Sequence, residues 1–128
     1  MEAERLRKID LFSSLDDGEL EELAEIADET SVSEGETLAR KGTWSYQLFA
    51  IEDGKVDIRR DDDTVATLGP GDVVGETGVV KRGLRNADVV AKGDVKVIYF
   101  TQSQVKRMRK SLPDLDDKLE QILEERSG

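Results

Sequence analysis

Glycine turns cut the middle of this chain into short apolar runs, and their spacing constrains the fold more than any other feature. The turns are Ser33-Glu34-Gly35-Glu36, Lys41-Gly42-Thr43, Glu52-Asp53-Gly54-Lys55, Gly69-Pro70-Gly71-Asp72 and Lys92-Gly93-Asp94. Between them lie the runs Thr37–Arg40, Tyr46–Ile51, Lys55–Arg60, Thr64–Leu68, Ala87–Ala91 and Val95–Phe100. Runs of this length with regular turn residues read as strands. Val56 and Ile58 alternate with Asp57 and Arg59, the pattern of a strand with one wet face. Asp53-Gly54 between two runs predicts a hairpin, because a two-residue turn needs positive φ. Six short strands with regular turns predict a mainly β sandwich or jelly roll.

Helices flank this core. Leu15, Leu20, Leu23, Ile26 and Ala27 recur at helical spacing with acids between them. Asp16 and Glu19 predict a capping box at the start of that helix. Leu11 and Phe12, just before it, are expected to pack inward. After Phe100, Thr101 and Gln104 predict a second capping box opening a short basic helix, Gln102–Lys110. Pro113 starts another helix, in which Leu112, Leu115, Leu119 and Ile122 form one apolar stripe. That stripe is expected to pack on the β core, since two heptads are short for a coiled coil. The expected plan is one domain over residues 1–128: a helical segment 1–32, a β core 33–100 and C-terminal helices 101–128. No repeat, linker or low-complexity stretch interrupts it.

Composition excludes several kinds of chemistry. The chain has no Cys and no His, so thiol nucleophiles, zinc knuckles and imidazole bases are absent. Metal-dependent jelly-roll enzymes build their sites largely from histidine, so no enzyme and no metal site are expected. No apolar run reaches the length of a membrane span and the charged N-terminus is not a signal peptide, which points to the cytoplasm. The net charge of −10 speaks against nucleic acid. That charge is uneven. Residues 1–30 hold 11 acids and 3 bases, residues 31–100 hold 12 and 10, and residues 101–128 hold 6 of each.

One stretch departs from the strand pattern. Residues 74–88, from Val74 through Gly75, Glu76, Thr77, Gly78 and Val79 to Arg85, Asn86, Ala87 and Asp88, are glycine-rich. From Gly75 to Ala87 they carry three bases, Lys81, Arg82 and Arg85, and one acid. Small residues let a backbone approach a ligand. A short helical turn after Gly78 would aim free N–H groups at an anion. An arginine supplies a fork of donors matched to phosphate oxygens. A glutamate beside it suits a sugar hydroxyl. Together these features read as a phosphate site. Lys81 and Arg82 read as a steering rim, and Trp44 and Tyr46 as packing or loop residues.

Here the sequence resembles the cyclic nucleotide-binding domain family, whose phosphate-binding cassette reads apolar-Gly-Glu-x-small-apolar, a short variable stretch, then Arg-small-Ala. Val74, Gly75, Glu76, Gly78, Val79, Arg85 and Ala87 fall on that pattern. The glycine-framed run 42–54, the turn Leu68-Gly69-Pro70-Gly71-Asp72 and the opening Leu11-Phe12-Ser13-Ser14-Leu15-Asp16 are also typical. The resemblance covers about residues 6–126. It implies a β-roll with an N-terminal helix, a short cassette helix and C-terminal helices, and a nucleotide inside the roll. It assigns Arg85 to the equatorial phosphate oxygen and Glu76 to the ribose 2′-hydroxyl. Backbone amides near Gly75, Gly78, Val79 and Ala87 complete the cradle, with Thr77 and Asn86 in the same segment. The purine would be covered by the last helix, with Leu119, Ile122, Leu123 and Arg126 as candidate lid residues.

The departures are Asn86, where Ser, Thr or Ala is common, Asp88, which often aligns with Ser or Thr, and Thr77 in place of Leu. An inward Asp88 carboxylate would oppose a phosphate, whereas strand alternation can turn it away. Two functions follow as expectations. The first is a regulatory module that senses cAMP, ahead of cGMP, without a cofactor and without a catalytic group. It signals to a protein effector by moving its last helix, as a monomer or weak dimer. The second, motivated by Asn86, Asp88 and the net charge, is a degenerate roll that binds no nucleotide and serves as a protein-interaction scaffold. The Lys106–Lys110 cluster reads as a wet face or a partner surface. The DNA-binding members of the family carry a further C-terminal domain, and no helix-turn-helix follows the tail here.

Overall fold

A computed structural model describes residues 1–40, 47–74 and 87–127, the last five of them as backbone only. In chain order the elements are α1 (Ala3–Arg7), a 3-10 turn (Asp10–Phe12), α2 (Asp17–Ile26), β1 (Asp28–Val32), β2 (Thr37–Ala39), β3 (Gln47–Arg60), β4 (Asp63–Leu68), β5 (Val73–Val74), β6 (Asp88–Thr101), α3 (Gln102–Ser111) and α4 (Pro113–Ser127). All strand pairs are antiparallel, and β3 with β6 forms the central ribbon. At one end β1 and β5 flank this ribbon, and at the other β2 and β4 do. The result is mostly antiparallel sheet with flanking helices, the β-roll expected from the sequence.

The ribbon corrects two expected turns. Asp53-Gly54 and Lys92-Gly93-Asp94 do not end strands, because β3 and β6 each run 14 residues straight through them. Asp53 pairs with Lys96 and Lys55 with Lys92, so residues 93–95 stand opposite Gly54 alone. This is a bulge, with Gly54 at φ +86° and Gly93 at φ +84°. A Cβ on Gly54 would lie 2.4 Å from the Asp94 carbonyl oxygen, so glycine is required there. The hairpin sits further on, where Asp61 and Asp62 take φ of +52° and +71° between β3 and β4. Asp accepts the left-handed region better than most residues, which makes an Asp-Asp tip workable.

A third correction concerns the expected helical segment 1–32. Helix α2 ends at Ile26, and Asp28–Val32 forms β1, paired with β6 from Asp28↔Tyr99 to Val32↔Val95. Four of its five residues are exposed, so it lacks the apolar alternation that marks a strand in sequence. Both capping boxes form. Asp16 Oδ1 accepts from Glu19 N and Glu19 Oε1 accepts from Asp16 N. Thr101 and Gln104 reciprocate in the same way.

The ribbon separates two apolar clusters. Leu48, Ala50, Ile98 and Phe100 face the helices and pack with Leu6, Phe12, Leu20, Leu23, Val105, Leu115 and Leu119. Phe12 and Phe100 meet edge to face, with centroids 5.7 Å apart. Phe49, Ile51, Val56, Val89, Ala91, Val95 and Val97 point the other way, into the roll. Alternation along the strands thus serves both clusters, which is why Leu48–Ile51 and Val97–Phe100 read as unbroken apolar runs.

Candidate functional site

Gly75, Glu76, Thr77, Gly78, Val79, Lys81, Arg82, Arg85 and Asn86 lie outside the described residues, as do Trp44 and Tyr46. The structure does place the two ends of the glycine-rich segment. It departs from β5, where Val73 pairs with Ala50 and Val74 with Phe49. Val74 is buried among the residues that fill the roll. It returns at Ala87, which is buried, and at Asp88, the first residue of β6. One end is therefore paired to β3 and the other leads directly into β6.

Asp88 resolves the question its charge raised. Val89 and Ala91 point into the roll. From Lys55↔Lys92 to Arg59↔Asp88 the pairing with β3 is unbroken, so Asp88 falls on the opposite, outer face. Its cross-strand neighbour there is Arg59. The carboxylate is thus directed away from the interior of the roll.

The turn before β5 is clamped on both sides. Gly71 N donates to Ile51 O at 2.9 Å, and Ile51 N donates to Asp72 O at 2.9 Å. On the other side Asp10 N donates to Gly71 O at 3.0 Å. Asp72 closes the turn itself, accepting from Gly69 N at 3.0 Å. Gly71 takes φ +96°, and a Cβ there would meet Lys8 O at 3.2 Å. The turn that leads into β5 is thereby held to both the central ribbon and the N-terminal helices.

Of the candidate lid residues, Leu119 is fully buried in the helical cluster and Ile122 packs partly against it. The side chains of Leu123 and Arg126 lie outside the described residues. Helix α4 is held by more than this stripe. Lys118 Nζ donates to Asp10 O at 3.1 Å and to Ser13 Oγ. Arg109 on α3 donates to Asp116 at 2.6 Å and to Glu120 on α4. A cavity of about 260 Å³ lies between the 3-10 turn, the Gly71–Val73 stretch and α4, lined in part by Asp10, Asp72, Lys118 and Gln121.

The strongest electrostatic feature had no sequence signal. Arg5 on α1 donates through Nε and one terminal nitrogen to both carboxylate oxygens of Glu52 at 2.6 Å. It also donates to both oxygens of Glu29 on β1 at 3.1 Å. The hydrogen bonds from Arg5 hold both carboxyls below the ordinary glutamate range, Glu52 against the opposing effect of its burial. The bond to Glu52, then that to Glu29, raises the Arg5 guanidinium in turn. These partners lie 24 and 47 residues away in sequence. No helix among the described residues is long and apolar enough to cross a membrane.

A family model described as the cyclic nucleotide-binding domain matches residues 29–111, a span that contains the whole glycine-rich segment. The cAMP-dependent protein kinase regulatory subunit of Schizosaccharomyces pombe is 29% identical over 111 residues, which is 86% of this chain and 27% of that protein. Among solved structures, cAMP-bound PfPKA-R superposes with a TM-score of 0.86 at 23% identity, over 96% of this chain and 43% of that one. At that identity the likeness is one of fold. The regulatory subunit of a cAMP-independent protein kinase A from Trypanosoma brucei is 30% identical, with a TM-score of 0.82, over 93% of this chain and 44% of that one. This chain therefore spans less than half the length of each of these proteins.

Proposed function

The chain belongs to the cyclic nucleotide-binding domain family, and we propose that it is a regulatory module that senses a cyclic nucleotide, cAMP ahead of cGMP. The observation that supports the proposal is where the glycine-rich segment leaves and rejoins the sheet. Its ends at Val74, paired to β3, and Ala87, just before β6, are buried, and Asp88 faces out. An anion held between those ends meets the segment's +2 charge and not the carboxylate. Arg85 takes the phosphate oxygens as a fork of donors, and Glu76 accepts from the ribose 2′-hydroxyl. Backbone amides near Gly75, Gly78, Val79 and Ala87 complete the cradle, with Thr77 and Asn86 beside them. The resident protein groups bind and orient; none is assigned a catalytic step.

The signal passes to α4. Lys118 ties this helix to Asp10, and Asp10 N ties back to Gly71, two residues before β5. A ligand bound by the glycine-rich segment therefore acts next to a turn that α4 reaches through Asp10. Leu119 and Ile122 pack in the helical cluster, so closing a lid over the base with them, Leu123 or Arg126 requires α4 to rotate from this position. The recipient is a protein effector, in the cytoplasm, with no nucleic acid or membrane involved.

Isothermal titration of nucleotide-freed protein tests the reading. Binding heat with cAMP, weaker with cGMP, is expected. No heat and no thermal shift at millimolar ligand would favour the second reading, a roll that binds no nucleotide and works as an interaction scaffold. The cAMP-independent relative from Trypanosoma brucei, 30% identical, is the specific reason to keep that reading in view.

A further inference from the structure

Helices α2 and α4's neighbour α3 are built alike but carry opposite charge. Each has ten residues and opens with a capping box. Their fourth and seventh residues, Leu20 and Leu23 in α2, Val105 and Met108 in α3, are buried in the same cluster. Their fifth, sixth and ninth residues are exposed. In α2 these are Glu21, Glu22 and Glu25; in α3 they are Lys106, Arg107 and Lys110. The outer faces thus superpose in spacing and oppose in sign.

The two helices also meet at one end. Gln104 on α3 donates its side-chain amide to the carbonyl of Ile26, the last residue of α2, at 3.1 Å. Arg107 lies one turn beyond Gln104 on the same side of α3, and Glu22 one turn before Ile26 on the same side of α2. The acidic and basic faces are thus carried by two helices that meet at this junction and cover the same apolar cluster. None of the six side chains makes an ion pair or hydrogen bond among the described residues. Among the described side chains the other helix cations behave differently: Arg5, Arg7, Arg109 and Lys118 are all engaged within the chain.

We infer that this surface associates with a second copy of the chain, α2 of each protomer lying against α3 of the other. A two-fold axis makes such a contact self-complementary, because the acidic helix of one copy meets the basic helix of its partner twice over. The charge complementarity is internal to one chain, which is what selects a second copy as the occupant. Each helix is about 15 Å long. The interface is correspondingly small, polar and transient, and its strength depends on salt. The inference does not rest on nucleotide binding.

Sedimentation velocity with two charge-reversed variants tests it. One variant combines Glu21→Lys, Glu22→Lys and Glu25→Lys; the other combines Lys106→Glu, Arg107→Glu and Lys110→Glu. Wild-type protein is expected to form a reversible dimer at about 0.01 M salt, where charges act over about 30 Å, and to dissociate at about 1 M, where they act over about 3 Å. Each variant alone is expected to be monomeric at both, and their equimolar mixture to dimerise at low salt. The first variant carries less net charge than wild type and the second more, so a loss common to both is not general repulsion. Circular dichroism checks that each is folded. Glu22→Lys with Arg107→Glu in separate chains gives a milder pair should a triple variant unfold. A wild-type monomer at low salt, a dimer that survives either reversal, or a mixture that stays monomeric would overturn the inference.

Discussion

The β3–β6 ribbon has two halves that differ on either side of the Gly54 bulge. In the half built from 47–51 and 97–101, both faces are dry: Leu48, Ala50, Ile98 and Phe100 meet the helices, while Phe49, Ile51 and Val97 fill the roll. In the half built from 55–60 and 88–92, one face fills the roll with Val56, Val89 and Ala91, and the other is wet. The hairpin strand β4 beside it is exposed along most of its length, and Val65, at its unpaired position, is 53% exposed. The return of the glycine-rich segment joins this second half. The difference teaches where cost and freedom lie. The doubly covered half supplies the rigid floor. The singly covered half is where the glycine-rich segment rejoins the sheet, at Ala87 and Asp88.

Four substitutions would break or sharpen this contrast. The largest effect is expected from Phe100→Ala, which empties a site shared with Phe12 and should cost about 3–5 kcal/mol in urea unfolding. Ile58→Ala, in the singly covered half and partly buried, should cost distinctly less; equal losses would erase the distinction between the halves. Next is the bulge that divides them. Gly54→Ala must displace the Asp94 carbonyl and should cost about 3 kcal/mol. Gly93→Ala has open space around it and meets only the positive φ, so about 1–2 kcal/mol is expected. Thermal melts of the two side by side decide whether contact or backbone conformation controls the bend.

A smaller change in free energy, though a functional one, is expected from Arg85→Lys. Losing the fork of donors should weaken nucleotide binding at least about tenfold, roughly 1.4 kcal/mol, with the melting temperature unchanged. Unaltered affinity in the titration would remove Arg85 from the phosphate. The smallest effect belongs to Glu52→Gln, which weakens the clamp between α1 and the ribbon by about 1 kcal/mol near neutral pH. The Glu52 carboxyl is held below its ordinary range by Arg5 when folded. Its contribution is therefore complete above the ordinary glutamate pKa and fades as the pH falls through the lowered one. Unfolding measured across acid pH should show a shallower loss in Glu52→Gln than in wild type. Parallel curves would assign acid sensitivity to other carboxylates.

Much of the architecture was legible because it is local. Both capping boxes are three-residue signals, and both form. The apolar stripe from Leu112 to Ile122 forms as its spacing directs, packed in the helical cluster with α3 and the 3-10 turn as its main neighbours. The glycine-rich segment stood out because it abandons strand alternation and reverses the local charge. Other features had no local signature. β1 is too polar to show a period, and its strand character comes from hydrogen bonding to β6. Asp53-Gly54 carries the residues of a hairpin, and positive φ at Gly54 is indeed used. The same backbone conformation serves a turn and a bulge, and nothing local distinguishes them.

The amino-acid order by itself determined most of the strand and helix segments, and it set apart the glycine-rich, positively charged stretch. Those properties follow from each residue's own conformational range, polarity and near neighbours. Tertiary structure alone decided that two glycine sites face each other in one bent ribbon, that Asp88 turns outward, and that Arg5 joins Glu29 and Glu52. Each of these depends on which strand lies opposite and on groups tens of residues away. A pairing between distant strands sets the face of every side chain along them, and that pairing exists only once the chain has folded.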